Sequence, residues 1–229
     1  RACDQVFISG CYSKSNIKLI GSDPGIAAAY NGGTHMPFED ISVFRAFPEM
    51  TILDVCDTTQ IADLTRQLAK LYGMYYVRMV RKNMVQVYEP GSTFEIGKGN
   101  VLRDGRDVTI IAAGLMVSRA LDAADLLEKK GVQARVVDMF TIKPIDRALI
   151  CRCAEETGAI VTAENHNVIG GLGSAVAEVL VANTPVPMEQ VGVQDEFGEV
   201  GLMPYLSERF GLTAEVIAQK AEKAVSRKK

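Results

Sequence analysis

The sequence holds two histidines, His35 and His166, so a metal centre built on several is excluded. Neither a Gly-x-Ser-x-Gly elbow nor a thiol stands near His35 to form a nucleophile–base pair. The chemistry left to His35 is hydrogen bonding or proton transfer to a bound substrate, set against a purely structural role. It lies in the stretch Ser22-Asp-Pro-Gly-Ile-Ala-Ala-Ala-Tyr-Asn-Gly-Gly-Thr-His-Met-Pro-Phe-Glu-Asp40. Asp23-Pro24-Gly25 is a turn signal, because Pro presets φ and Gly accepts positive φ. The small residues from Gly25 to Ala29 allow a backbone or ligand to approach closely, and Asn31-Gly32-Gly33 turns the chain again. Pro37 suits the first position of a helix, with Glu39 and Asp40 complementing its dipole. A histidine on a glycine-rich loop at a helix mouth is a placement where function collects.

Two arginines at a strand's end, Arg78 and Arg81, could clamp a phosphate or carboxylate bidentately. Arg78 reads as a solvated surface residue, and Arg81 as the functional one. Gly170-Gly171-Leu172-Gly173 follows a strand but lacks the Gly-x-Gly-x-x-Gly order and the acidic residue that dinucleotide binding needs, so it reads as a structural turn. His166, in Glu164-Asn-His-Asn, reads as a hydrogen-bonded structural histidine. The five cysteines form no Cys-x-x-Cys pair, which argues against zinc or a disulfide framework and for free thiols in a reducing cytoplasm.

The elements that must position these residues alternate. Ile17–Ile20 alternates as a strand, a helix is expected from Pro37 to Pro48, and Met50–Val55 reads as a buried strand. Asp57 with Gln60 opens a capped helix carrying Ile61, Leu64, Leu68 and Leu71, and Met74–Val80 is β-rich. Polar, glycine-rich sequence from Tyr88 to Asp107 reads as a linker with a β-hairpin. Beyond it, strands at 109–113, 134–138, 159–163 and 188–193 alternate with helices at 117–127, 144–156, 174–182 and 213–226. This pattern predicts an α/β fold, two three-layer α/β/α domains with mostly parallel sheets: residues 1–91, a linker over 92–106, and residues 107–229. At 229 residues, 48% hydrophobic and 23% charged, the chain can fill such cores. A net charge of −3 gives no case for nucleic acid, and no apolar run reaches the roughly 18–20 residues that span a bilayer. The start, Arg1-Ala-Cys-Asp4, has neither an initiator Met nor a signal-peptide pattern and reads as internal sequence.

With these residues in place, Asn31-Gly-Gly-Thr-His-Met-Pro-Phe-Glu-Asp40 resembles the Asp-Gly-Pro-Thr-His-Gln block of transketolases. The similarity continues through Phe44-Arg-Ala-Phe-Pro-Glu-Met50 to Tyr76-Val-Arg-Met-Val-Arg81, and Ala163–Ala175 is similar to their C-terminal domain. The resemblance implies the latter part of a pyrimidine-binding domain followed by that C-terminal domain. It implies transfer of a two-carbon ketol unit from a ketose phosphate to an aldose phosphate, with thiamine diphosphate and a divalent cation, Mg or Ca, as cofactors. Since no Gly-Asp-Gly…Asn-Asn motif is present, it further implies that cofactor and cation are bound mainly outside this chain, on an N-terminal transketolase subunit or a missing N-terminal part. A homodimer through this chain is also implied. By the resemblance, His35 contacts the donor's hydroxyls and Arg81 grips the substrate phosphate. Asn31 replaces an aspartate that reads the acceptor's C2 hydroxyl. Asp23 replaces a phosphate-contacting histidine, and a carboxylate facing a phosphate would repel it. Both departures point to an unusual sugar. Two other readings stand beside this one: another thiamine enzyme such as a deoxyxylulose-phosphate synthase, and a non-catalytic assembly module.

Overall fold

A computed structural model describes residues 2–81 and 84–228. The chain begins with a short helix α1 (Cys3–Gln5) that runs on as a π-helix over Val6–Tyr12, and strand β1 (Ile17–Ser22) follows. Helix α2 (Asp40–Arg45), strand β2 (Met50–Asp54), helix α3 (Thr58–Leu68) and strand β3 (Met74–Met79) come next. The second half contains β4 (Asn100–Arg103), β5 (Val108–Ala112), α4 (Met116–Glu128), β6 (Ala134–Asp138), β7 (Thr141–Lys143) and α5 (Arg147–Thr157). It finishes with β8 (Ile160–Asn167), α6 (Leu172–Ala182), β9 (Met188–Val193), α7 (Met203–Arg209) and α8 (Ala214–Ser226).

Two mostly parallel sheets with flanking helices result. The first has the order β1-β3-β2-β7 and the second β4-β6-β5-β8-β9. Each has one antiparallel edge: β7 on β2, and β4 on β6. The expected hairpin between Tyr88 and Asp107 is absent, because β4 pairs with β6 instead of with a neighbour in sequence. Strand β7 crosses over to close the first sheet, so the two halves interlock at Ile52–Leu53. Three residues, Thr141-Ile142-Lys143, are too few to show a period in sequence.

Side chains divide by strand alternation. Ile52, Met74 and Tyr76 share one apolar cluster with Ile111, Val137 and Ile160 of the second sheet and with α5 and α6. Leu53 and Val77 point the other way, onto Leu64 and Leu68 of α3. Beneath the second sheet's far face, α4 and α8 bury Ala120, Leu127, Ile217 and Ala221. Helix α3 is capped as expected at its start, where Asp57 accepts the Gln60 N–H at 2.8 Å. The Gln60 side chain reaches the Cys56 N–H (2.8 Å) and Asp138 (2.7 Å) rather than back to Asp57.

Arg78 corrects the surface reading. Its side chain is 0% exposed. The guanidinium donates from Nε to Asp40 of α2 (2.8 Å), from Nη1 to Asp54 of β2 (2.7 Å) and from Nη2 to the Asn165 carbonyl of β8 (3.0 Å). One arginine thus binds three elements and both sheets. Burial works against its charge, but Asp40 and Asp54 outweigh that and raise its pKa. Burial also pushes the Asp54 carboxyl up, with Arg78 pulling it back. Removing one member of a buried ion pair leaves the other charge uncompensated, at a cost of roughly 3–5 kcal/mol. Arg78→Ala is therefore expected to lower the stability read from urea unfolding by that much. Exposed Arg66→Ala should stay within about 0.5 kcal/mol in the same measurement.

Candidate functional site

Strand β1 ends at Ser22, and Asp23 leaves it in the left-handed region with φ 55°. That turn directs its carboxylate back over the end of β3. There Oδ1 accepts the Arg81 N–H at 2.8 Å, and Oδ2 lies 2.5 Å from both Nε and Nη2 of Arg81. Asp23 is 4% exposed, whereas the Arg81 side chain is 64% exposed. The buried acid fixes the root and one edge of an accessible guanidinium. A cleft of about 410 Å³ opens beside it, with Val55, Asp57, Ile61, Met79 and Met84 among its walls. Asp57 brings little free negative charge to this cleft, since it accepts N–H groups from Gln60, Gln86, Val87 and Tyr88.

The glycine-rich stretch folds as two short 3-10 segments, Gly25–Asn31 and Gly33–His35, with a kink at Ala29. Asn31 and His35 are both exposed on them. Thr34 Oγ1 lies 2.9 Å from His35 Nδ1 and orients the ring. The helix expected to open at Pro37 starts three residues later, at Asp40. Glu39 and Asp40 do more than complement its dipole. Glu39 accepts the Phe38 N–H (2.8 Å), and Asp40 accepts the Tyr76 hydroxyl (2.6 Å) besides Arg78.

The loop is held from the other half of the chain, through a residue that sequence reasoning passed over. Asn165 accepts the Ile26 N–H at 3.0 Å and donates from Nδ2 to the Pro24 carbonyl at 2.9 Å. The Asn167 N–H adds a bond to the Phe38 carbonyl at 2.9 Å. Gly25, at φ 54°, is required here because a Cβ would lie 2.2 Å from Asn165 Oδ1. Gly33 sits as close to the C-terminal half, its notional Cβ 2.3 Å from the Gly198 carbonyl oxygen. A polar run, Glu164-Asn-His-Asn167, ending an otherwise apolar strand was the available signal.

The rest of that run is structural, as the sequence indicated. Glu164 accepts the N–H groups of Leu172 (2.6 Å) and Gly173 (2.8 Å), so the glycine turn at the start of α6 encloses the chain's own carboxylate. Gly171 is a necessity of that contact, since a Cβ would meet Glu164 Oε2. Burial pushes the Glu164 carboxyl up to about 7. His166 is fully buried, with Nδ1 2.6 Å from the Asn167 carbonyl oxygen and Nε2 3.4 Å from the Ser42 nitrogen. A carbonyl can only accept, so Nδ1 carries the proton and Nε2 accepts. Burial, reinforced by Arg78, lowers its pKa to about 4.

No group of three or more His, Cys, Asp or Glu that could hold a cation occurs among the described residues. The glycine-rich end of α6, where a phosphate could otherwise rest, is filled by Glu164. These residues do not fit a metal–diphosphate seat. All five cysteines are free, and among the described residues no helix is long and apolar enough to cross a membrane.

Two measurements check this geometry. Asn165→Ala removes both side-chain bonds to the loop and should cost about 1–3 kcal/mol, with amide exchange rising over residues 24–35. His166, whose folded pKa lies below its unfolded value, contributes stability that is present above about pH 6.5 and is lost as pH falls through about 4. Its ring shifts in an NMR titration should stay those of the neutral Nδ1–H tautomer down to about pH 5.

Comparison with known proteins gives the chain its family. The family model of the transketolase pyrimidine-binding domain matches residues 1–86, and that of the transketolase C-terminal domain matches residues 97–217. The chain is 48% identical over 228 residues to the 6-deoxy-6-sulfo-D-fructose transketolase subunit of Clostridium sp. (strain MSTE9), covering 100% of this chain and 71% of that protein. It is 42% identical over 222 residues to an apulose-4-phosphate transketolase subunit of Phocaeicola vulgatus, covering 96% of this chain and 71% of that one. A solved structure described as a split gene transketolase, inactive beta4 tetramer, superimposes with a TM-score of 0.94 at 43% identity. The match covers 100% of this chain and 73% of that chain. With two family domains matched in order and the sheets superimposing over the full length, the chain belongs to the transketolase family.

Proposed function

We propose that this chain is the C-terminal subunit of a split, thiamine-diphosphate-dependent transketolase that moves a two-carbon ketol unit from a ketose phosphate to an aldose phosphate. The single observation carrying this reading is the Arg81 guanidinium held at an open cleft by Asp23, on a chain of pyrimidine-binding and C-terminal transketolase domains. Residues 1–91 carry the first of these units and 107–229 the second; the segment 92–106 between them lends β4 to the second sheet, and β7 crosses back to the first. His35 hydrogen-bonds the donor's hydroxyls, Asn31 meets the acceptor's C2 hydroxyl, and Arg81 binds the substrate's terminal anion. Thiamine diphosphate and its divalent cation, Mg²⁺ or Ca²⁺, belong mainly to an N-terminal transketolase subunit. The poor fit of this chain's residues to a metal–diphosphate seat supports that division.

The chain also pairs with itself. Exposed Phe197, Val200 and Leu202 support such a contact, since large exposed apolar side chains mark association surfaces. The free cysteines fit a reducing cytoplasm. Sugars named for the two relatives, a sulfofructose and apulose 4-phosphate, together with Asp23 and Asn31, support an uncommon substrate.

The test is reconstitution with the N-terminal subunit, followed by a ketol-transfer assay over ketose donors, with pyruvate as a rival donor. Transfer from a ketose is expected from the pair and none from this chain alone. Turnover of pyruvate, or silence with every ketose, would overturn the proposal. In the reconstituted enzyme, His35→Ala should lower kcat/KM roughly ten- to a thousandfold through loss of one contact to the reacting centre. A change below about twofold would make the histidine structural. Asp23→His should shift preference toward ordinary aldose phosphates, read as relative kcat/KM over an acceptor panel.

A further inference from the structure

Arg81 does not face its cleft as a full positive charge. Asp23 takes one edge of the guanidinium through Nε and Nη2 and also ties down the Arg81 backbone N–H. A guanidinium is a planar fork of five donors, so the edge formed by Nη1 and the second Nη2 proton is not used by Asp23. The ion pair as a whole is close to neutral. The other acid lining the cleft, Asp57, is tied to four N–H donors from the start of α3 and the 86–88 segment. An incoming anion therefore meets an oriented pair of donors, with a carboxylate fixed on the adjoining edge of the same guanidinium.

From this we propose that Asp23 is a positioning residue that sets the charge the Arg81 site accepts, so that the site selects a sugar ending in a singly charged anion, such as a sulfonate, over a dianionic phosphate. The proposal rests on Arg81 being the substrate's anion contact. Its physical basis is Coulombic. Attraction to Arg81 and repulsion from Asp23 both double for the dianion, so a nearly neutral pair returns little for the added charge, whereas the cost of dehydrating an anion grows with the square of its charge. A bidentate fork still recognises a monoanion through geometry, because two parallel N–H···O bonds need only two oxygens. Asp23 can hold this position without exposing itself, since it is buried while the guanidinium it holds is accessible.

The experiment uses the reconstituted enzyme and one ketose carrying either a phosphate monoester or a sulfonate at its terminal carbon. A phosphate monoester loses its second proton near pH 6, whereas a sulfonate stays a monoanion throughout. The ratio of kcat/KM for sulfonate over phosphate cancels the contribution of any group that acts equally on both. In the native enzyme this ratio is expected to rise about tenfold or more between roughly pH 5.5 and 7.5 as the phosphate becomes a dianion. Asp23→Asn keeps the size and one acceptor oxygen of the side chain but removes its charge. It should lower the ratio at pH 7.5 by about tenfold and abolish its rise with pH. A merely structural Asp23 would change both substrates together and leave the ratio alone. Transfer of both sugars with a pH-independent ratio in the native enzyme would overturn charge selection alone. Absence of transfer from any ketose would overturn it together with the proposed function. The native pH series needs no variant, so a poorly folding Asp23→Asn does not remove the test.

Discussion

Burial of one full positive charge between two sheets is the constraint on which the rest of this molecule depends. Arg78 lies where β3, β2, α2 and β8 converge, and its donors find Asp54, Asp40 and the Asn165 carbonyl. Two buried carboxylates would repel each other without it, and it would be far too costly to bury without them. Ion pairs of this kind supply little net stability against a well-packed apolar alternative, but they tolerate few other arrangements of their partners. That intolerance is useful here. The apolar cluster common to both sheets supplies non-directional attraction, and the guanidinium supplies direction.

The consequence for the site is that its floor and its loop have different owners. The floor, the ends of β1 and β3 with the Asp23–Arg81 pair, belongs to the first sheet. The loop that presents Asn31 and His35 comes from the same half of the chain but is held by Asn165 and Asn167 at the end of β8. Arg78 binds the backbone of the same Asn165 whose side chain holds the loop. A displacement of β8 would therefore move both ends of the loop that carries His35, at Pro24–Ile26 and at Phe38, so the C-terminal half positions the candidate site although it contributes none of the expected substrate contacts. The anion-binding capacity at the start of α6, with its glycines and the N–H groups of Leu172 and Gly173, serves the same end. It is filled by Glu164, a neighbour of Asn165, and so fixes the strand end instead of a ligand.

The proposed substrate choice rests on a shorter range of physics. As a bare carboxylate, Asp23 would repel a phosphate by direct contact. In the structure it accepts two hydrogen bonds from a single residue, from the Arg81 backbone N–H and Nε–H, with Nη2 in ion-pair contact, so its charge is tied to Arg81. The sign of the effect on a dianion is unchanged, but its origin moves from direct contact to the charge balance of a pair. In the proposed reading the same residue orients the donor and limits how much charge that donor attracts.

The sequence by itself determined the alternation of strands and helices, the α/β class, the Asp57 cap, the turn role of Gly170–Gly173 and the structural role of His166. These follow from local periodicity, from backbone conformations open to few residues, and from motif orders whose absence is informative. It also marked His35 and Arg81, because a histidine in a glycine-rich turn and an arginine at a strand end are unusual in themselves. Only tertiary structure decided that Arg78 is buried while Arg81, three residues along, is not. Both follow apolar strand residues, and their surroundings come from segments up to 87 residues away. It decided that β7 crosses to the first sheet, which three residues without a period cannot announce. It decided as well that Asp23 grips Arg81 across 58 residues of chain, since pairing of charges depends on which strand ends are brought side by side, and that is a property of the sheet order and not of either residue.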